Sequence, residues 1–149
     1  DTFKSGRQLV HLLLEVVSKG GNLALNIAPQ PDGMLPAPGV RSLRDLGAWL
    51  KLFGKGIYET RICAPCFEDW LFYTQKGNTV YAFYTYDEVP VLPSRLTLHL
   101  PQQVRAARSI RTGQSLHLRR NEDGVTLDLQ DLAMGGAFYA EGFALEVEE

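Results

Sequence analysis

No stretch of the 149-residue chain is apolar for long enough to cross a membrane, since a helical span needs roughly 18–20 such residues. Charge of one sign is missing too. Lys and Arg number 15 against 17 Asp and Glu, a formal charge of -2. With no broad basic field, nucleic acid and anionic membranes are excluded as expected partners. Internal repeats and low-complexity tracts are absent. No leader pattern stands at the N-terminus, and the first residue is Asp1 rather than Met, which reads as a cut, a processing site or a chosen boundary. What is present, 45% hydrophobic and 21% charged residues, suits a soluble globular domain with a proper core.

Cysteine is nearly absent: only Cys63 and Cys66 occur, spaced C-A-P-C. A redox C-x-x-C needs a strand before the pair and a helix starting at it. Here Phe67–Gln75 reads as strand. A zinc site needs two further ligands, and His11, His99 and His117 are scattered singly. The expectation is a structural pair in a linker, with no metal and no cofactor. Two cysteines do not fix a compartment.

Two textures divide the chain. Ser5-Gly6-Arg7-Gln8 fits a capping box, and behind it Leu9, Val10, Leu12, Leu13, Leu14, Val16 and Val17 recur at helical spacing. Lys19-Gly20-Gly21 supplies a stop, so 5–18 is expected as a mostly buried helix. A strand follows over Asn22–Ala28, with Leu23, Leu25 and Ile27 on one parity and Asn22, Ala24, Asn26 and Ala28 on the other. After a Pro-Asp-Gly turn at 31–33, a second helix is expected from about Gly39 to Leu52, with Val40, Leu43, Leu46, Leu50 and Phe53 on its apolar face. A single strand between two helices has unpaired backbone on both edges. This part is expected to dock on something larger.

From Phe67 onward the pattern is β. Strands are expected at Trp70–Gln75, Thr79–Tyr86, Arg95–Leu100, Val104–Ile110, Ser115–Arg119, Val125–Leu129 and Phe138–Val147. Lys76-Gly77-Asn78 and Asn121-Glu122-Asp123-Gly124 have the chemistry of hairpin turns. Leu96, Leu98 and Leu100 alternate with Arg95, Thr97 and His99; Leu116 and Leu118 alternate with Ser115, His117 and Arg119. About seven antiparallel strands with one apolar face each make a β-sandwich, with the boundary near Arg61–Phe67.

The run L-V-H-L-L-L-E-V-V-S-K-G-G-N-L-A-L-N-I-A-P from Leu9, then P-D-G, a helix ending W-L-K, and Ile57-Tyr58-Glu59-Thr60-Arg61 together resemble the final barrel unit of the family-29 α-L-fucosidases. The likeness covers about a third of the chain. Ala24 and Ala28 stand where Leu and Gly are more usual, and the β portion is similar in architecture only. The resemblance implies an α/β plus all-β fold: residues 1–61 as the last β/α unit of a TIM-type barrel, and 62–149 as an antiparallel β-sandwich. It implies a retaining exo-glycosidase acting on terminal α-L-fucose of glycans, in which two carboxyl groups sit about 5 Å apart and both lie upstream of Asp1. No catalytic residue is then expected in this chain, which alone would be inactive. Its expected partners are a fucosylated glycan and the remaining N-terminal barrel chain, with assembly of identical copies left open. The intact protein is expected to be secreted, periplasmic or lysosomal.

The one substrate-binding candidate is Asn26. Barrel active sites lie at the C-terminal strand ends, and if the leucine row packs on helices, Asn26 points inward near that end. Against this stands an amide that merely satisfies backbone beneath the site. Glu15, Asp45 and Glu59 read as solvated charges, and Asp32 as a turn residue. The aromatic cluster Trp70, Phe72, Tyr73, Tyr81, Phe83, Tyr84 and Tyr86 is expected to be mostly core, with its outward row a candidate sugar platform. The alternative function is a non-catalytic carbohydrate-binding or adaptor sandwich.

Overall fold

A computed structural model describes residues 4–23, 31–85, 91–132 and 139–148. Helix α1 spans Gly6–Ser18 and opens on the expected capping box: the Ser5 hydroxyl accepts from Gln8 N at 3.2 Å, and Ser5 N donates to Gln8 Oε1 at 2.7 Å. It closes with Gly20 N and Gly21 N donating to the Val17 and Val16 carbonyls. Helix α2 spans Ala37–Phe53, longer at both ends than expected. Its buried stripe is Gly39, Ser42, Leu46, Trp49 and Phe53, whereas Leu43 is 37% exposed. The apolar face is therefore rotated, because Trp49 rather than Leu43 turns toward the sheet.

A 3-10 turn at Gly54–Gly56 leads, among the described residues, into nine strands: β1 Arg61–Glu68, β2 Leu71–Lys76, β3 Thr79–Thr85, β4 Arg95–Leu98, β5 Val104–Ser109, β6 Ser115–Leu116, β7 Leu118–Arg120, β8 Val125–Asp128 and β9 Ala140–Val147. They form a six-stranded sheet, β1-β2-β3-β9-β5-β6, and a three-stranded sheet, β4-β8-β7, with antiparallel pairing throughout. The chain is a β-sandwich backed by a helical layer.

Two expectations are corrected here. Arg61–Phe67, with both cysteines, is the edge strand β1 and not a linker. It hides from a pattern search because its pairing with β2 slips between Ile62 and Phe67 and Pro65 interrupts it, as an edge strand tolerates. The stretch Ser115–Arg119 is two strands. Ser115–Leu116 pairs with β5, and the chain then crosses so that Leu118–Arg120 pairs with β8 in the other sheet.

The larger sheet is covered on both faces. Val80 and Ala82 of β3 and Phe143, Leu145 and Val147 of β9 meet Leu96, Leu98, Val125 and Leu127 of the smaller sheet. The opposite parity, Tyr81, Phe83, Ala140 and Ala144, meets Leu9, Val10, Leu13, Leu46, Trp49 and Phe53 of the helices. Tyr81 and Phe83 of the aromatic cluster thus face a helical layer rather than solvent, because this sheet is buried on both sides. Gly142 makes the close approach feasible: a Cβ there would sit 2.8 Å from Phe53 Cδ1 and 2.9 Å from Ile110 Cδ1.

Candidate functional site

Asn26 and Leu25 lie outside the described residues. Of the flanking strand, Asn22 is exposed and Leu23 is half-buried against the helix-side cluster. Asp32 is the turn residue expected, its Oδ1 accepting from Met34 N at 3.0 Å. Glu15 pairs with Lys19 at 3.4 Å and Glu59 with Lys76 at 3.1 Å, all four exposed. Asp45 does more than meet solvent: it accepts from the Tyr139 hydroxyl at 3.3 Å.

The cysteines belong to the edge strand β1. Cys63 is 2% exposed within the aliphatic core. Burial pushes its thiol up, the Gln102 amide 3.9 Å away counters this, and the neighbouring Cys66 adds to the rise. A protonated, buried thiol is a poor nucleophile and a poor ligand. Sequence reasoning missed Glu68 in this region, which accepts from both the backbone N–H and Nδ1 of His99. Among the described residues, no three or more His, Cys, Asp or Glu side chains gather as a metal site.

The chemistry-bearing side chains converge instead along one face of α1. There Arg7, Gln8, His11 and Glu15 meet Trp70 and Thr85 around an open cleft of about 420 Å³. Among the described residues of the aromatic cluster, which leave out Tyr86, Trp70 is 61% exposed, whereas Tyr73, Tyr81 and Phe83 are buried. It occupies the two-residue turn between β1 and β2, following Asp69 at φ 45°. Its carbonyl accepts from both Thr85 N at 2.9 Å and Thr85 Oγ1 at 3.0 Å. The ring is thus carried on a pinned backbone.

His11 is equally fixed. Its Nε2 lies 3.0 Å from the Tyr139 carbonyl, and a carbonyl only accepts, so that nitrogen carries the proton. Tyr139 itself holds φ 78°, a left-handed conformation rare for a non-glycine residue and a common mark of functional regions. Burial first, then the Asp45 carboxylate, push its hydroxyl up. Gly6 lets this group close on α1: a Cβ there would lie 2.6 Å from Asp45 Cβ and 3.0 Å from the Tyr139 hydroxyl. The cleft therefore combines a flat apolar ring with donors and acceptors at its rim. A second hollow, on the outer face of the small sheet, is lined by Arg95, Thr97, His117, Arg119, Thr126 and Asp128, without a Trp, Tyr or Phe ring.

Fold and cleft together define a helix-backed β-sandwich with a polar groove lined by one exposed indole. Residues 1–55 match the family model described as alpha-L-fucosidase. The chain is similar to human plasma alpha-L-fucosidase, 31% identical over 134 residues, covering 85% of this chain and 28% of that protein. It is 51% identical to rat plasma alpha-L-fucosidase over 53 residues, 36% of this chain and 12% of that one. Among solved structures, alpha-L-fucosidase isoenzyme 1 from Paenibacillus thiaminolyticus superposes with a TM-score of 0.82 at 28% identity, covering 99% of this chain and 35% of its own. The chain thus spans between 12% and 35% of these relatives. It is related to the α-L-fucosidases and corresponds to their C-terminal part.

Proposed function

We propose that this chain is the C-terminal portion of a retaining exo-glycosidase that removes terminal α-L-fucose from glycans. Residues 1–61 form the last β/α unit of a (β/α)8-like barrel, and 62–149 form the sandwich behind it. The observation that carries this reading is the family match over residues 1–55, which takes in α1, the stretch 22–28 and all of α2. Leu43 and Leu52, exposed at 37% and 38% on opposite flanks of α2, fit it, since neighbouring barrel elements on either side would cover them. The two catalytic carboxyl groups lie upstream. Glu15, Asp45 and Glu59 are already engaged by Lys19, Tyr139 and Lys76.

In such an enzyme one carboxylate attacks the anomeric carbon while a carboxylic acid protonates the leaving oxygen, and water then reverses the process with net retention. This chain supplies the scaffold, together with Asn26 near the barrel mouth as an orienting amide. A compartment exposed to mature glycans, whether secreted, periplasmic or lysosomal, suits that activity. The test is ¹H NMR of an aryl α-L-fucoside incubated with the intact protein. α-L-fucose should appear first and mutarotate later. An initial β-anomer, or no fucose at all, overturns the reading. In the same assay Asn26→Ala should lower kcat/KM by roughly 2–4 kcal/mol of transition-state stabilisation with melting unchanged; an unaltered rate would remove Asn26 from the site.

A further inference from the structure

We propose that the Trp70 cleft is a subsite for the neutral sugar residues next to the terminal fucose, which stack on the Trp70 indole and hydrogen-bond to the side chains of α1. The inference rests on the fucosidase reading for its substrate, and on the geometry of the cleft for its ligand chemistry. Pyranose rings present a flat C–H face and a rim of hydroxyls. They suit a site that pairs an aromatic plane with both donors and acceptors.

Trp70 supplies the plane. An indole 61% exposed at the tip of a hairpin adds little to the core, yet its backbone is held by two hydrogen bonds from Thr85. An anchor fixed before binding loses little freedom when a ligand arrives. Lys4, Arg7, Gln8, His11 and Glu15 line the same cleft, supplying cationic donors, an amide, an imidazole and a carboxylate, and His11 is oriented by the Tyr139 carbonyl. A space of about 420 Å³ lies within the usual range for a small-ligand site, roughly 300–1,000 Å³.

Position points the same way. In a β/α repeat the helix runs opposite to the strand that follows it, so the end of α1 carrying Arg7 and His11 is the end at which the proposed barrel strand finishes. Barrel active sites open on that side. A glycan whose terminal residue entered the barrel could lay its next sugars along this cleft.

The experiment uses the intact protein and its Trp70→Ala and Trp70→Phe variants in two arms. Kinetics compare 2′-fucosyllactose with an aryl α-L-fucoside, and saturation-transfer NMR follows lactose alone, which carries no fucose. Trp70→Ala should lower kcat/KM for 2′-fucosyllactose about tenfold more than for the aryl substrate, the scale of one lost aromatic contact. It should also abolish lactose saturation transfer, and Trp70→Phe should recover most of both. Equal effects on the two substrates, or a drop in melting temperature that accounts for the loss, would mean that Trp70 is covered by another segment, and would overturn the subsite. Lactose binding that survives Trp70→Ala overturns it too, while normal fucose release would leave the fucosidase reading standing. Trp70-dependent lactose binding in a protein that hydrolyses neither substrate would uphold the subsite and sink the fucosidase reading.

Discussion

The two faces of the six-stranded sheet are built differently, although they share the same strands. Toward the small sheet the filling is aliphatic: Val80, Ala82, Leu96, Leu98, Val125, Leu127 and Leu145 interdigitate around Tyr73 and Phe143. Toward the helices the filling is a ring cluster. Trp49 lies 5.0 Å from Phe53 and 5.6 Å from Phe83 between centroids, and Phe53 meets Phe83 edge-on at 80° and 6.4 Å. That side is also cross-linked by hydrogen bonds to backbone, Trp49 Nε1 to the Ala140 carbonyl at 3.1 Å and Thr74 Oγ1 to the Gly56 carbonyl at 2.6 Å. Aromatic anchors with satisfied polar handles are the chemistry of an interface, whereas interlocking aliphatic chains are the chemistry of a single core. The sheet thus joins a self-contained sandwich to a helical layer through a small number of large, oriented contacts.

The strongest way to break that joint is Phe53→Ala. Phe53 is fully buried and touches both other rings, so truncation should cost about 3–5 kcal/mol in urea unfolding followed by circular dichroism. A loss below about 1 kcal/mol would mean that the helices are held by something other than the ring cluster.

Much of this was legible in the sequence, for a physical reason. The capping box at Ser5, the Gly77 hairpin and the Leu96, Leu98, Leu100 alternation are local, and local chemistry decides them. The Arg95–Leu98 strand shows the alternation directly, its burial running exposed, buried, exposed, buried. What could not be read is non-local. β3 alternates nothing, because both its parities are buried, one on each face. β1 is broken by a register slip and a proline. Trp70 looked like its neighbours until the hairpin turned it outward. The cleft had no signature either, since Arg7 and His11 meet Trp70 only after the sandwich folds back over α1.

The sandwich side carries the smaller and more diagnostic effect. The Tyr73 hydroxyl is buried and has no hydrogen-bonding partner among the described residues. Burial first, and then the nearby Glu68 carboxylate, push its pKa up; burial does the same for Cys63. For both groups the unfolded chain releases its proton at lower pH than the folded one. Their stabilising contribution is whole below the unfolded values, about 8.5 for Cys and 10 for Tyr. It is lost as pH rises beyond them. Tyr73→Phe should therefore change stability at pH 7 by less than about 1 kcal/mol, or raise it, since no bond is removed, and should flatten the alkaline decline between pH 9 and 11 in urea titrations. A cost of about 2 kcal/mol or more at neutral pH would show that the hydroxyl is paired.

The central claim is that this chain is the scaffold and accessory end of an α-L-fucosidase whose reacting carboxylates lie elsewhere. It is tested most directly by assaying the 149-residue chain beside the intact protein on the same aryl α-L-fucoside. The account predicts turnover by the intact protein and none by the chain at equal concentration. Turnover by the chain alone at an enzyme-like rate, about 1 per second or above, would contradict it and place the catalytic carboxylates within these residues.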